Sequence, residues 1–124
     1  MRIVGVGVDV VEIERVKRLL ATRPSFRARV FTPAEASYCG GKATPAECFA
    51  ARWAAREAGR KALGGVRGLR WHDISVERAP SGAPRLALTG AAKARADRIG
   101  VEDVLVSFSH ERSVAVAFCV AVGA

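Results

Sequence analysis

Asp9, Glu57, Lys61 and His110 are the residues of this chain best suited to chemistry, and they sit among sixteen arginines and only four lysines. Two carboxylates suit a hard cation such as Mg²⁺, which keeps several waters and also takes phosphate oxygens. Lysine and arginine then neutralise the phosphate oxygens that the metal leaves free. Each residue has a plainer reading as well. Asp9 closes a strand pattern and can serve as a turn or N-cap residue where strand meets helix. Glu57 and Lys61 are four apart, and on a solvated helix face such a pair is worth only about 0.3–0.5 kcal/mol. A lone histidine is more often structural than catalytic, although His110 follows Ser107 and Ser109 at the end of a strand pattern. No GxxxxGK[ST] run occurs, and Gly5-Val6-Gly7 lacks the third glycine of a dinucleotide fingerprint. A P-loop or Rossmann site therefore does not fit.

Glu57 and Lys61 must be positioned by the stretch 49–64, FAARWAAREAGRKALG, which is made of helix formers and ended by Gly64-Gly65. At the helical period Ala51, Ala54, Ala55, Ala58 and Ala62 make one face of small side chains. Phe49, Trp53, Glu57 and Lys61 make a row on the other side, flanked by Arg52, Arg56 and Arg60. Asp9 must be positioned by residues 2–10, which alternate as a strand does. Val4, Val6, Val8 and Val10 face one way, and Gly5, Gly7 and Asp9 the other. Glycines in a strand mark a close backbone approach. The bare face accepts the alanine face of the helix, which brings Asp9 near Glu57.

The remaining elements follow in order. Residues 10–22 read as a helix that Arg23-Pro24 ends, with Arg15, Lys17 and Arg18 on its polar side. Arg27 and Arg29 lie in a short segment after it. Thr32-Pro33-Ala34-Glu35 is a capping box opening a short helix that stops near Gly40-Gly41, and Pro45 opens the long one. Residues 74–78 and 85–88 form a hairpin around a Pro-Ser-Gly-Ala-Pro turn, and 91–99 a small helix. His72 reads as surface or strand-start structure. Residues 101–109 and 114–122 form a second hairpin with His110 at its tip.

Residues 1–124 read as one domain, with enough apolar content for a core. No run approaches the roughly 18–20 apolar residues of a membrane span, and the N-terminus has no signal-peptide pattern. Cys39, Cys48 and Cys119 are odd in number and lack CxxC spacing, which predicts reduced thiols in a cytoplasmic protein, with Cys48 and Cys119 as packing residues. With two histidines, a zinc site does not fit. The net charge of +8 points to a polyanionic partner: nucleic acid, a phosphorylated cofactor or an acidic protein.

The residues, taken together, resemble the 4′-phosphopantetheinyl transferases, in particular the small holo-[acyl-carrier-protein] synthase type. Gly5 to Arg15 (GVGVDVVEIER) is similar to that family's G-(I/V)-G-x-D opening. Arg29-Val30-Phe31-Thr32 with Glu35 and Tyr38, and the whole stretch 49–64, resemble its next two motifs. Gly82-Ala83-Pro84 and Ser107-Phe108-Ser109-His110 match its G-x-P turn and its S-x-(S/T)-H tip. One position departs: Arg56 stands where the family has lysine, and no catalytic role is assigned to it.

The resemblance implies an α+β fold, a mainly antiparallel sheet packed on one long helix with shorter helices. It implies transfer of 4′-phosphopantetheine from coenzyme A to a serine hydroxyl of an apo acyl carrier protein, releasing adenosine 3′,5′-bisphosphate. Asp9 and Glu57 would hold Mg²⁺, directly or through water, and Lys61 would stabilise charge on the diphosphate. Arg52, Lys61, Gly64, Pro84, Ser109 and His110 would line the coenzyme A site. His110 or a metal-bound water would accept the serine proton. Arg15 and Arg29 would meet an acidic carrier protein, of fatty acid or polyketide synthesis, so that the positive charge needs no nucleic acid. The resemblance also implies a homotrimer with sites between neighbouring subunits. Three competing readings are a small basic nucleic-acid-binding protein, a non-catalytic scaffold and a different Mg²⁺-dependent phosphotransferase. The first lacks a recognised motif or an exposed aromatic row.

Overall fold

The computed structural model describes all 124 residues. Strand β1 (Arg2–Glu12) leads into four helices, α1 (Ile13–Thr22), α2 (Phe26–Val30), α3 (Pro33–Gly40) and the long α4 (Pro45–Ala62). A 3-10 turn (Trp71–Asp73), β2 (Ile74–Arg78), β3 (Pro84–Leu88), α5 (Gly90–Ile99), β4 (Asp103–Glu111) and β5 (Val114–Gly123) follow. The five strands form one antiparallel sheet in the order β1-β5-β4-β3-β2. The architecture is α+β, as the resemblance implies.

Small residues on both sides let α4 lie against the sheet. Ala54, Ala55 and Ala58 are fully buried, and Ala115, Ala117, Cys119 and Ala121 of β5 face them. From β1, a β-carbon built on Gly7 would collide with the Ala58 carbonyl and stand 2.8 Å from the Ala62 nitrogen. One on Gly5 would collide with the Ala62 carbonyl. The predicted contact between the glycine face and the alanine face is thus formed, backbone to backbone. The opposite face of the sheet is open. Val6, Val8, Val10, Leu105 and Phe118 are each about half exposed there.

The other side of α4 is covered too, which its sequence did not suggest. Phe49 meets Phe31 with ring centroids 4.7 Å apart, and Trp53 stacks on Phe26 at 5.4 Å. Arg52 and Arg56, expected on a charged flank, are buried. In α3 the capping box forms as predicted, and the second carboxylate oxygen of Glu35 accepts the Val76 N–H at 2.9 Å, joining α3 to β2.

Several boundaries differ from the expectations. β1 runs two residues further, to Glu12, because β5 stays in register with it as far as Val114. Arg27 and Arg29 lie on a short helix, α2. His110 is not the hairpin tip. It pairs with Ala115 inside β4, and the turn is made by Arg112, with φ of 54°, and Ser113. Only Cys119 keeps a free thiol. Cys39 and Cys48 form a disulfide between α3 and α4, since the two helices fold back on each other and bring their Cα atoms within 5.3 Å. No helix is long and apolar enough to cross a membrane.

Candidate active site

The first cluster lies where the C-terminal half of α4 crosses β1. Lys61 Nζ reaches the edge strand and donates to the Val8 carbonyl at 3.1 Å and to Asp9 Oδ1 at 3.2 Å. Lys61 does not pair with Glu57. Instead Glu57 Oε1 accepts from Arg56 Nη1 at 2.6 Å, and Glu57 Oε2 accepts from Arg60 Nε at 3.0 Å. Lys61 is one helical turn beyond Glu57 on the same face, so both carboxylates border it. Their side chains are only about a fifth exposed, at 18% for Asp9 and 21% for Glu57. No group of three or more histidine, cysteine or acidic side chains converges anywhere. The pair therefore does not make an all-protein cage. Two carboxylates are the donor type that suits a hard cation keeping waters and taking phosphate oxygens, and here each is held by a cation, Asp9 by Lys61 and Glu57 by Arg56 and Arg60.

The second cluster surrounds the N-terminal half of α4. A cavity of about 620 Å³ is lined by Tyr38, Lys42, Arg52, Arg78, Ser109 and His110, among others. Three cations converge on the Tyr38 ring: Lys42 at 4.3 Å, Arg52 at 4.7 Å and Arg78 at 4.9 Å. Lys42, then Arg78 and Arg52, hold the Tyr38 phenol below its usual range. Arg52 is only 4% exposed, lies between Tyr38 and Phe108, and has no hydrogen-bond partner for its Nε. Burial, then Arg78, pushes its pKa down. A buried, under-satisfied guanidinium beside two further cations disfavours leaving the cavity without an anion. Across the cavity Glu47 Oε2 lies 3.6 Å from His110 Nδ1, an ion pair when the ring is protonated.

The structure therefore divides the predicted site residues into two groups. Arg52, Ser109 and His110 share one cavity, and Pro84 stands opposite Arg78 in the β2–β3 register. Asp9, Glu57 and Lys61 form the other group, with Gly64 and Lys61 lining a separate cavity of about 330 Å³. From position 52 to position 61 is about 13 Å along the helix axis. Arg15 and Arg29 meet at neither. Arg15 lies over Trp53 at 5.6 Å, and Arg29 lines a groove of about 310 Å³ with Leu19, Phe26, Trp53 and Trp71. Lys42, Arg78 and Glu47 are site residues that the sequence reading missed. They lie on a loop, a strand end and a helix start, and no periodic signal links them.

Residues 5–119 match the model of the 4′-phosphopantetheinyl transferase superfamily. The holo-[acyl-carrier-protein] synthase of Anaeromyxobacter dehalogenans is 48% identical over 126 residues, covering 98% of both chains. The crystal structure of the Neisseria meningitidis synthase superposes with a TM-score of 0.85 at 31% identity, covering 97% of this chain and 98% of that one. The Helicobacter pylori synthase, solved in complex with coenzyme A, gives 0.79 at 28% identity over 94% of this chain and 99% of that one. The chain belongs to the 4′-phosphopantetheinyl transferase superfamily and, within it, to the holo-[acyl-carrier-protein] synthases.

Proposed function

We propose that this enzyme uses Mg²⁺ to transfer 4′-phosphopantetheine from coenzyme A to a serine of an apo acyl carrier protein. The observation that carries the reading is the Arg52 cavity, a preformed anion receptor in a chain of this family. Arg52, Lys42 and Arg78 supply the cations for a phosphorylated adenosine, and Ser109 and Pro84 border it. The serine Oγ attacks the phosphorus that carries the pantetheine. The bridging P–O bond breaks, and adenosine 3′,5′-bisphosphate leaves. Lys61 neutralises charge that grows on the diphosphate as that bond breaks. Asp9 and Glu57 would hold the metal, whose contribution is charge neutralisation on phosphate oxygens. His110, in the cavity beside Glu47, is a candidate acceptor for the serine proton.

Two surfaces extend the reading. The Arg29 groove is apolar at its floor and basic at its rim, with Arg23 and Arg29 lining it and Arg15 over Trp53. That combination suits an acidic amphipathic segment of the carrier protein, so nucleic acid is not needed to account for the charge. The open sheet face suits a second copy of the chain. Val6 pairs with Val120 and Val120 in turn with Leu105, and Val8 pairs with Phe118, in a continuous apolar row. We read this face as a homotrimer interface. The sites between subunits that the resemblance implies would, in such an assembly, draw on one copy's Arg52 cavity and a neighbour's Asp9–Lys61 cluster. One unit spanning residues 1–124 completes the reading; the cytoplasmic location expected from reduced thiols loses that support, because Cys39 and Cys48 are joined.

The test is intact mass spectrometry of an apo acyl carrier protein incubated with this protein and coenzyme A, with and without Mg²⁺. A phosphopantetheine-sized gain that needs Mg²⁺ and is lost in Asp9→Ala is expected. A gain that survives Asp9→Ala overturns the metal assignment. No gain with any of several carrier proteins overturns the activity.

A further inference from the structure

Arg56, the one departure from the family signature, is anchored more firmly than any other charged group near Glu57. We propose that Arg56 is a positioning residue that fixes Glu57 for the metal, and that Arg60 is the counter-ion the metal displaces. The proposal rests on the reading of Asp9 and Glu57 as metal ligands.

The two guanidiniums hold the two oxygens of Glu57 in different ways. Arg56 is 7% exposed and its guanidinium lies over the Trp71 ring, 4.4 Å from its centroid. Its Nε donates to the Trp71 carbonyl at 3.0 Å and its Nη2, at a long 3.5 Å, to the Arg70 carbonyl. That leaves Nη1 for Glu57 Oε1. The carbonyls are themselves fixed. They belong to the 3-10 turn, where Asp73 Oδ2 accepts the Arg70 N–H at 3.1 Å and the Asp73 N–H returns to the Arg70 carbonyl. Glu57 Oε1 is thus tied to a capped turn outside its own helix. A lysine offers three donors from a single point, and lacks the planar fork that spans a carbonyl and a carboxylate over an indole.

Arg60 has none of this support. Its side chain is 38% exposed, and Glu57 is its sole hydrogen-bond and ion-pair partner. It can swing into solvent with no other bond lost. Oε1 is therefore the fixed oxygen, and Oε2 the one open to exchange with a cation.

The two arginines then have opposite effects on metal affinity, which a merely structural role for either does not produce. Mn²⁺ is titrated into the protein–coenzyme A complex with no carrier protein present, and free Mn²⁺ is followed by electron paramagnetic resonance. Asp9→Ala and Glu57→Gln define the metal site. Arg56→Met is expected to weaken Mn²⁺ by roughly 10–100-fold, the scale seen when a hydrogen-bond partner of a metal ligand is removed. Arg56→Lys keeps the charge but loses the fork, and is expected to fall between Arg56→Met and the parent. Arg60→Ala is expected to tighten Mn²⁺ roughly two- to fivefold, the scale of a half-exposed ion pair.

Unchanged Mn²⁺ affinity in a folded Arg56→Met protein refutes the positioning role, as does parental affinity in Arg56→Lys. If the methionine variant does not fold, the lysine variant alone decides. Weaker binding in Arg60→Ala refutes the displacement. If neither Asp9→Ala nor Glu57→Gln alters Mn²⁺ binding, the metal reading itself fails and the proposal with it. Melting temperature and metal-free coenzyme A affinity, measured on the same samples, separate these outcomes from general damage to the fold.

Discussion

Gly7→Ala adds one methyl group at the closest approach of β1 and α4. The new β-carbon would collide with the Ala58 carbonyl and lie 2.8 Å from the Ala62 nitrogen. Both obstacles are backbone, so no side chain can rotate away, and the helix must move off the sheet or the strand must bend. Ala58 and Ala62 are themselves almost completely buried against the sheet. Overpacking of a tight core costs about 1–3 kcal/mol, and a backbone obstacle belongs at the upper end. Replacing a strand glycine returns about 0.5–1 kcal/mol of chain entropy. The net is a destabilisation of about 2 kcal/mol. At roughly 2.1 cal/mol/K of unfolding entropy per residue, a chain of this length loses about 4 °C of Tm per kcal/mol. The expected fall is thus about 8 °C, read by differential scanning calorimetry. The same displacement moves Asp9 on β1 away from Glu57 on α4, so Mn²⁺ affinity should fall alongside. A Gly7→Ala protein that melts within 2 °C of the parent and keeps its metal affinity would refute the close-approach argument.

Two further predictions test other parts of the reading. Val8→Glu places a carboxylate on the open sheet face beside Phe118, and an uncompensated buried charge costs about 3–5 kcal/mol. Sedimentation equilibrium should show a trimeric parent and a folded, monomeric variant; a variant that remains a trimer argues against this face as the interface. Glu35 provides a pH signature. Burial raises its pKa more than the Val76 and Thr32 bonds lower it, so the folded state holds the proton more tightly than the unfolded chain. Its contribution to stability is present below the ordinary carboxylate value and is lost as pH rises through the raised one. Glu35→Gln removes the titration and turns one of the two accepting oxygens into an NH2, a loss that does not depend on pH, so its stability relative to the parent should still increase from about pH 4 upward in urea melts. A difference that does not change with pH contradicts the assigned burial effect.

Much of α4 was legible in advance. Its helix formers, its alanine face and its C-terminal glycines follow from local rules, and the glycines of β1 announced the matching surface. The five strands were all visible as alternation between turns. The site was legible only in pieces. Lys61 was expected beside Glu57 at i, i+4, yet it bonds Asp9, 52 positions away. Its place beside Glu57 goes to Arg60 at i+3, with Arg56 taking the other oxygen. Arg52 and Arg56 flank the Phe49–Lys61 row with nothing in the sequence to signal their burial, because the layer that buries them comes from other parts of the chain.

Periodicity, turn chemistry and charge are properties of neighbours along the chain, and so the sequence by itself determined the elements, their faces and the candidate acids and bases. Which cation meets which carboxylate depends on contacts across elements. Arg56 is fixed by two carbonyls of a 3-10 turn and by the face of Trp71. Backbone carbonyls are the same at every residue and leave no mark in the pattern of side chains. The Cys39–Cys48 bond is of the same kind, since its nine-residue separation carries meaning only once α3 folds back on α4. Tertiary structure decided these points because burial and hydrogen bonding are set by distance in space, and only the packed helices and sheet supply it.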